Sequence, residues 1–285
     1  MGGARWGLAV AQWTTAIDFE IGSGLAFDEA SNAVWFVATD GRLGSFRVAG
    51  SKVAWHGAGW QGAVAAVPCA DGLNVAVVAS NGSVRIAARV AADAASSSSL
   101  VDLGVGAVAA GGLPDGRLLA LTVDGSLIAL DVTTGSMATV ASGLGGAEHL
   151  VLDVAAGEAV IASGGAGPEL IRVDLGTGDV VGAATPLAHP ATALTTHPAG
   201  GVIVADATGT LRAVLWSGGD AHLQSVAGTT ALARWHSLIV AARPAALVLI
   251  EWGDDVTALP ITAGPSPLAR GGWAPFEVDY LAKNL

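Results

Sequence analysis

A short turn recurs through this chain, each time at the start of an alternating strand. Asp124-Gly125-Ser126-Leu127-Ile128-Ala129-Leu130-Asp131-Val132-Thr133-Thr134-Gly135 is the clearest copy. Related turns stand at Asp40-Gly41, Asn81-Gly82, Gly167-Pro168 and Thr208-Gly209, with a degenerate sixth at Pro244-Ala245. The steps between the first five are 41, 43, 43 and 41 residues, and the last is 36. Asn-Gly and Asp-Gly between apolar runs favour a hairpin, because these residues accept the positive φ that a type I′ turn demands. A period held this closely over most of a chain signals a repeat architecture.

Each period reads as four strands. In the third they are Val105–Gly112, Arg117–Val123, Ser126–Val132 and Met137–Ala141. A lone four-stranded sheet of this kind leaves apolar faces uncovered, and stacking neighbours around a ring covers them. The expected fold is therefore all-β, a β-propeller with four-stranded antiparallel blades. Composition supports it. Hydrophobic residues at 52% against 13% charged supply a large core, and 40 glycines supply turns. Alanine is abundant, but it sits in alternating Val- and Leu-rich runs without helix caps.

The chain ends bear on the blade number. Gly264–Trp273 resembles Gly228–Trp235, and both read as innermost strands; Phe276–Ala282 reads as a second strand. Trp6–Trp13 and Thr15–Ile21 read as the missing third and fourth. The expectation is a single domain over residues 1–285 with seven blades, the last closed by N- and C-terminal strands. Six blades is the alternative. Closure is favoured because it removes open sheet edges. Ala94–Ser99 is expected as an exposed loop between the outer strands of the second blade.

The opening stretch resembles the third-strand consensus of WD-repeat, YVTN and quinoprotein-like propellers. Asp131-Val132-Thr133-Thr134-Gly135 and Asp174-Leu175-Gly176-Thr177-Gly178 match the turn that usually follows that strand. The Trp-Asp dipeptide is absent, since Leu130-Asp131, Val173-Asp174 and Ile250-Glu251 stand in its place. The resemblance implies a fold and a wheel geometry, with ligands expected on the face where the innermost strands begin. It implies no activity.

A net charge of −11 argues against nucleic acid as a partner, since no basic face is available to release counterions. The single Cys69 excludes an internal disulfide and gives no zinc spacing. No apolar run reaches the roughly 18 residues of a membrane helix, and no leader peptide is legible. The expectation is a soluble, cytoplasmic protein with no membrane contact, no cofactor and no metal.

Candidate site residues follow from the wheel geometry. Trp60, Gln61, Glu148, His149 and His189 fall at the starts of innermost strands, with Ser23, Thr229 and Ser266. Arg243 and Lys283 fall in second-to-third-strand turns on the same face, with Asp40, Asn81, Asp124 and Thr208. His149 and His189 are the candidate bases, and Glu148 is the candidate orienting carboxylate. His197 and His236 are expected on the opposite face, and His56 and His222 on outer strands. Ser23 and Ser217 lack a nucleophile elbow. Trp13, Trp216 and Trp252 share one position after the third strand, which suggests an aromatic arc in three consecutive blades.

Three functions are compatible with this pattern. The first is a non-enzymatic scaffold for a protein or peptide. The second is a lyase or hydrolase holding a small ligand in the central channel, with Arg243 or Lys283 as anion clamp. The third is a carbohydrate-binding propeller, for which Trp60 and Trp273 qualify if their faces are exposed.

Overall fold

A computed structural model describes residues 9–252, apart from 48–51, 91, 165–166, 198–199, 219 and 236–237. The strand β1 (Ala9–Ala16) comes first. Blade 1 is β2 (Ala26–Asp28), β3 (Ala33–Val37), β4 (Leu43–Arg47) and β5 (Lys52–Gly57). Blade 2 is β6 (Ala63–Pro68), β7 (Asn74–Ala79), β8 (Ser83–Ala88) and β9 (Ser98–Asp102). Blade 3 is β10 (Ala107–Gly112), β11 (Leu118–Thr122), β12 (Leu127–Leu130) and β13 (Met137–Ala141), close to the strands read from sequence. Blade 4 is β14 (Ala147–Asp153), β15 (Glu158–Ser163), β16 (Glu169–Asp174) and the two-residue β17 (Thr185–Pro186). Blade 5 is β18 (Ala191–Thr196), β19 (Gly201–Asp206), β20 (Thr210–Leu215) and β21 (Asp220–Ser225).

Blade 6 joins the two ends of the described chain. Its order is β22 (Ala231–Trp235), β23 (Leu238–Arg243), β24 (Ala246–Trp252) and then β1. β1 runs antiparallel to β24, with Gln12 opposite Ile250 and Ala16 opposite Ala246. The described residues thus form six blades, the alternative count. The preferred count of seven is corrected in one respect: Ala9–Ala16 is the outermost strand of blade 6, not a third strand of a further blade. The segments Gly264–Trp273 and Phe276–Ala282 lie outside the described residues.

Six apolar clusters fill the six seams. Blade 1 meets blade 2 through Trp35, Leu43, Val75 and Val77. The last seam is closed by Val34, Phe36 and Phe46 of blade 1 against Val240, Leu247 and Leu249 of blade 6. Central strands such as β3, β11 and β19 are buried at every residue, because both faces of each blade meet a neighbour. The stretch Ala94–Ser99 is more ordered than expected. It holds a single 3-10 turn at Ala94–Ser96 and then joins β9 at Ser98. Its Ala92 and Ala94 flank is buried in the seam between blades 1 and 2.

The recurring turn has a second task. In every blade the carbonyl of its second residue accepts the N–H of the apolar residue that follows the outermost strand. The pairs are Trp60 to Gly41 (2.9 Å), Leu103 to Gly82 (3.0 Å), Leu144 to Gly125 (2.9 Å), Leu187 to Pro168 (2.7 Å) and Val226 to Gly209 (2.7 Å). In blade 6 the same bond runs from Ile17 to Ala245 (3.0 Å), across the two chain ends. Ala245 carries φ +57° there, the left-handed region that glycine occupies in most copies. The bond thus identifies β1 as the true fourth strand of blade 6.

Gly125 shows why glycine is favoured at this place. It sits at φ +77°, and a Cβ added to it would lie 2.6 Å from the carbonyl carbon of Leu144. Gly125→Ala is expected to cost about 3 kcal/mol, the left-handed penalty plus a backbone displacement. A urea unfolding midpoint checks this; an unchanged midpoint would show that the turn gives way freely.

Candidate functional site

The upper face, where innermost strands begin, holds most of the candidates, and many are occupied by structure. Ser23 is buried; its Oγ accepts from the Val37 N–H at 2.8 Å and donates to the Gly24 carbonyl. Thr229 is buried and donates to the Val226 carbonyl at 2.8 Å. Trp60 is buried, with its indole N–H donating to the Ala92 carbonyl at 2.6 Å, so it offers no exposed face for a sugar. Gln61 is exposed and its amide donates to the Asp40 carbonyl at 3.1 Å. Asp124 caps its own turn through Thr122 and Ser126. Arg243 is half-buried at the β23–β24 turn. Lys283, Ser266 and Trp273 lie outside the described residues.

Glu148 and His149 straddle a register slip between Ala147 and His149 at the start of β14. The same slip recurs at Ala63/Ala65, Ala107/Ala109 and Ala191/Ala193. A bulge re-aims a side chain, and Glu148 is exposed, with Oε1 2.8 Å from where a Cβ on Gly164 would stand. The His149 ring engages the Ala191 carbonyl through Nε2 at 3.2 Å. Burial pushes its pKa down, against the pull of the Glu148 charge and that carbonyl. His189 is exposed on the loop before β18, in the wall of a different recess. The three groups that the enzyme reading needed in one pocket are thus divided between two places.

His56 and His197 are packed into the blades. His56 engages Ser45 Oγ through Nε2 at 2.8 Å and stacks on Trp35 at 4.4 Å. Burial holds its pKa down. His197 is buried after β18, and His222 lies on the outermost strand β21. His236 lies outside the described residues. Cys69 is buried, and loss of solvent pushes its thiol up to about 11, which makes it a poor nucleophile. Among the described residues no three His, Cys, Asp or Glu side chains gather closely enough to hold a metal.

A recess of about 460 Å³ lies between blades 4 and 5. It arises from the short outer strand of blade 4. β16 pairs with β15 along its whole length, but β17 covers only Glu169 and Leu170. The chain touches β16 again at the Val173–Val180 bridge and through Val181 N–H to the Arg172 carbonyl at 2.8 Å. Residues 182–184 leave the ladder. Gly182, at φ +71° with open space where a Cβ would stand, marks the break.

Two ion pairs form the polar walls. Arg172 grips Glu158 with a two-bond fork, Nε to Oε2 and Nη2 to Oε1, both 2.7 Å. Its guanidinium also lies 4.6 Å from the centre of the Trp216 ring. Opposite, Arg212 faces Asp206 at 3.4 Å. Asp206 Oδ1 also accepts from Thr208 N–H at 2.9 Å, Thr208 Oγ1 at 2.5 Å and Thr210 N–H at 3.1 Å. Burial alone would raise the Asp206 pKa; the Thr208, Thr210 and Arg212 donors outweigh it and hold the carboxyl below its usual range. His189, Leu187 and Pro186 form the upper lip, and Trp216 and Gly218 the lower end. The groove therefore spans the height of a blade.

The tryptophan arc takes another shape than expected. Trp216 follows β20 and Trp252 ends β24, both third strands, but Trp13 lies on the outermost strand β1 opposite Leu249. Sequence reasoning reached His189 and Trp216 separately and missed Arg172, Arg212 and Asp206. The alternation of β16 and β20 places Arg172 and Arg212 on the two faces that meet between blades 4 and 5, but nothing in one strand says that an adjacent fourth strand will be cut short.

No protein-family model matches the chain, and no curated protein matches it in sequence. Solved structures match its fold. The chain is similar to the WD40 β-propeller domain of Doa1, with a TM-score of 0.61, 12% identity, and coverage of 90% of this chain and 99% of that one. It is similar to the WD40 domain of Pan2 from Neurospora crassa, with a TM-score of 0.58, 12% identity, and coverage of 90% and 98%. BamB from Moraxella catarrhalis matches at a TM-score of 0.53 and 13% identity, over 84% and 87%. The chain is a β-propeller with four-stranded antiparallel blades. Among its described residues no helix is long and apolar enough to cross a membrane.

Proposed function

We propose that this propeller is a non-enzymatic interaction scaffold that receives an extended segment of a partner protein in the groove between blades 4 and 5. The observation that carries this reading is the interrupted outer strand of blade 4, which opens a recess over the height of a blade. A volume of about 460 Å³ would also admit a small ligand; the spread of the lining from His189 at one end to Trp216 and Gly218 at the other is what favours an extended segment. The dispersal of Glu148, His149 and His189 removes the main support for channel chemistry. The buried indole of Trp60 removes one of the two platforms of the sugar-binding reading.

A photo-crosslinking side chain placed at Thr185 in the native host tests the reading, with Leu73 on an exposed loop of blade 2 as control site. A discrete adduct at Thr185 with none at Leu73 is the expected result. Equal labelling at both sites, or none at Thr185, would remove the groove as a docking site.

A further inference from the structure

Both ion pairs in the groove are polarised in the same sense. The acids are the deeper members, with side-chain exposures of 10% for Glu158 and 4% for Asp206. The guanidinium groups are the outer members, at 24% for Arg172 and 32% for Arg212. A ligand in the groove therefore meets cations, although the chain as a whole carries −11. His189 adds an imidazole beside the two guanidinium groups at the exposed lip. Asp206, the acid in the lining, is already engaged by Thr208, Thr210 and Arg212.

Arg172 is held in place before any ligand arrives. The fork to Glu158 uses two of the five N–H donors of a guanidinium. The Trp216 ring lies against the group, 4.6 Å from its central carbon. A guanidinium immobilised in this way loses little conformational entropy when it takes a second planar acceptor. A carboxylate matches that geometry. A doubly charged phosphate would be placed close to the Glu158 and Asp206 charges behind the two arginines.

We propose that the groove recognises an acidic linear peptide of a partner protein, with a Glu or Asp carboxylate seated between Arg172 and Arg212 and the His189 ring at its edge. This rests on the docking reading above and narrows its partner to one chemistry. The apolar lining from Leu187, Val204, Val214 and Leu215 takes the side chains that alternate with the acids.

The test is fluorescence anisotropy with labelled, capped hexapeptides that alternate valine with glutamate, glutamine or phosphoserine. Unlabelled glutarate serves as the free dicarboxylate competitor. The glutamate peptide is expected to bind with a dissociation constant below about 1 mM. The glutamine peptide should bind at least about tenfold more weakly, and rising salt should weaken the glutamate peptide selectively. His189→Glu, at an exposed position outside both ion pairs, should weaken the glutamate peptide by about fivefold or more with the fold intact. Arg172→Gln should abolish binding, with the thermal transition recorded alongside because that variant strands Glu158. Equal binding of the glutamine peptide overturns the proposal and leaves the docking reading standing, since that reading is decided by the adduct at Thr185. Tighter binding of the phosphoserine peptide overturns the carboxylate assignment. Competition by glutarate at the peptide's own affinity overturns the peptide. No binding of the glutamate peptide, or full binding by His189→Glu, also overturns it.

Discussion

Arg89→Met is expected to lower the free energy of unfolding by about 3–5 kcal/mol, a large share of the stability of a single domain. Arg89 follows β8 in blade 2 and is buried together with Asp28 at the end of β2 in blade 1. Nη1 donates to Asp28 Oδ2 at 2.5 Å, Nη2 to the Cys69 carbonyl at 3.0 Å, and Nε to the Asn74 carbonyl at 3.0 Å. The guanidinium also lies 5.6 Å from the centre of the Trp35 ring. One side chain therefore joins two blades and satisfies two backbone acceptors. Methionine keeps much of the volume but leaves Asp28 charged and buried, with Ser31 Oγ as its remaining donor. Adding Asp28→Leu to Arg89→Met removes the stranded charge and should recover part of the loss. Chemical denaturation of the three proteins measures this. A loss below about 1 kcal/mol for the single variant would mean that water replaces the guanidinium without cost.

Removing residues 1–16 is expected to have a larger effect, because it takes away the outermost strand of blade 6. The cost has three parts. The ladder between β1 and β24 is lost over its whole register. The bond from Ile17 to Ala245 loses the strand that positions it. The edge of β24, with its Leu247, Val248, Leu249 and Ile250 run, becomes an open template for pairing with other chains. At about 1 kcal/mol net per hydrogen bond the ladder alone approaches the whole stability of a typical domain. The truncated chain should lose its cooperative thermal transition and associate at micromolar concentration. Hydrogen exchange locates the effect: amides of β24 should lose protection before those of β11 in blade 3. A truncated protein that melts as the intact one does, with β24 still protected, would show that the ring does not depend on β1 for closure.

Both expectations concern features that a linear reading reaches only in part. The turn at Asp124-Gly125 is visible because a positive φ demands a small set of residues. The bond from its carbonyl to Leu144 is not visible, because it depends on how the outer strand returns to the hub. The same holds for the groove. Gly182-Ala183-Ala184 reads as an ordinary weak stretch, and only its departure from β16 reveals that Arg172 and Arg212 share one recess. Trp60 marks a different gap. Its place at the start of an innermost strand leaves its exposure open, and the packed 92–94 segment covers it.

The sequence by itself determined the repeat, the four-stranded pattern of a blade and the places of the hairpins, because local φ preferences and apolar alternation act within a few residues. Tertiary structure decided the blade count of the described ring, since β1 pairs along β24 and the seam between Phe36 of blade 1 and Leu249 of blade 6 closes the ring. It also decided which charges work together. Arg172 finds Glu158 on the neighbouring strand of its own blade and Trp216 on the next blade, and neither distance is written in the order of residues along the chain.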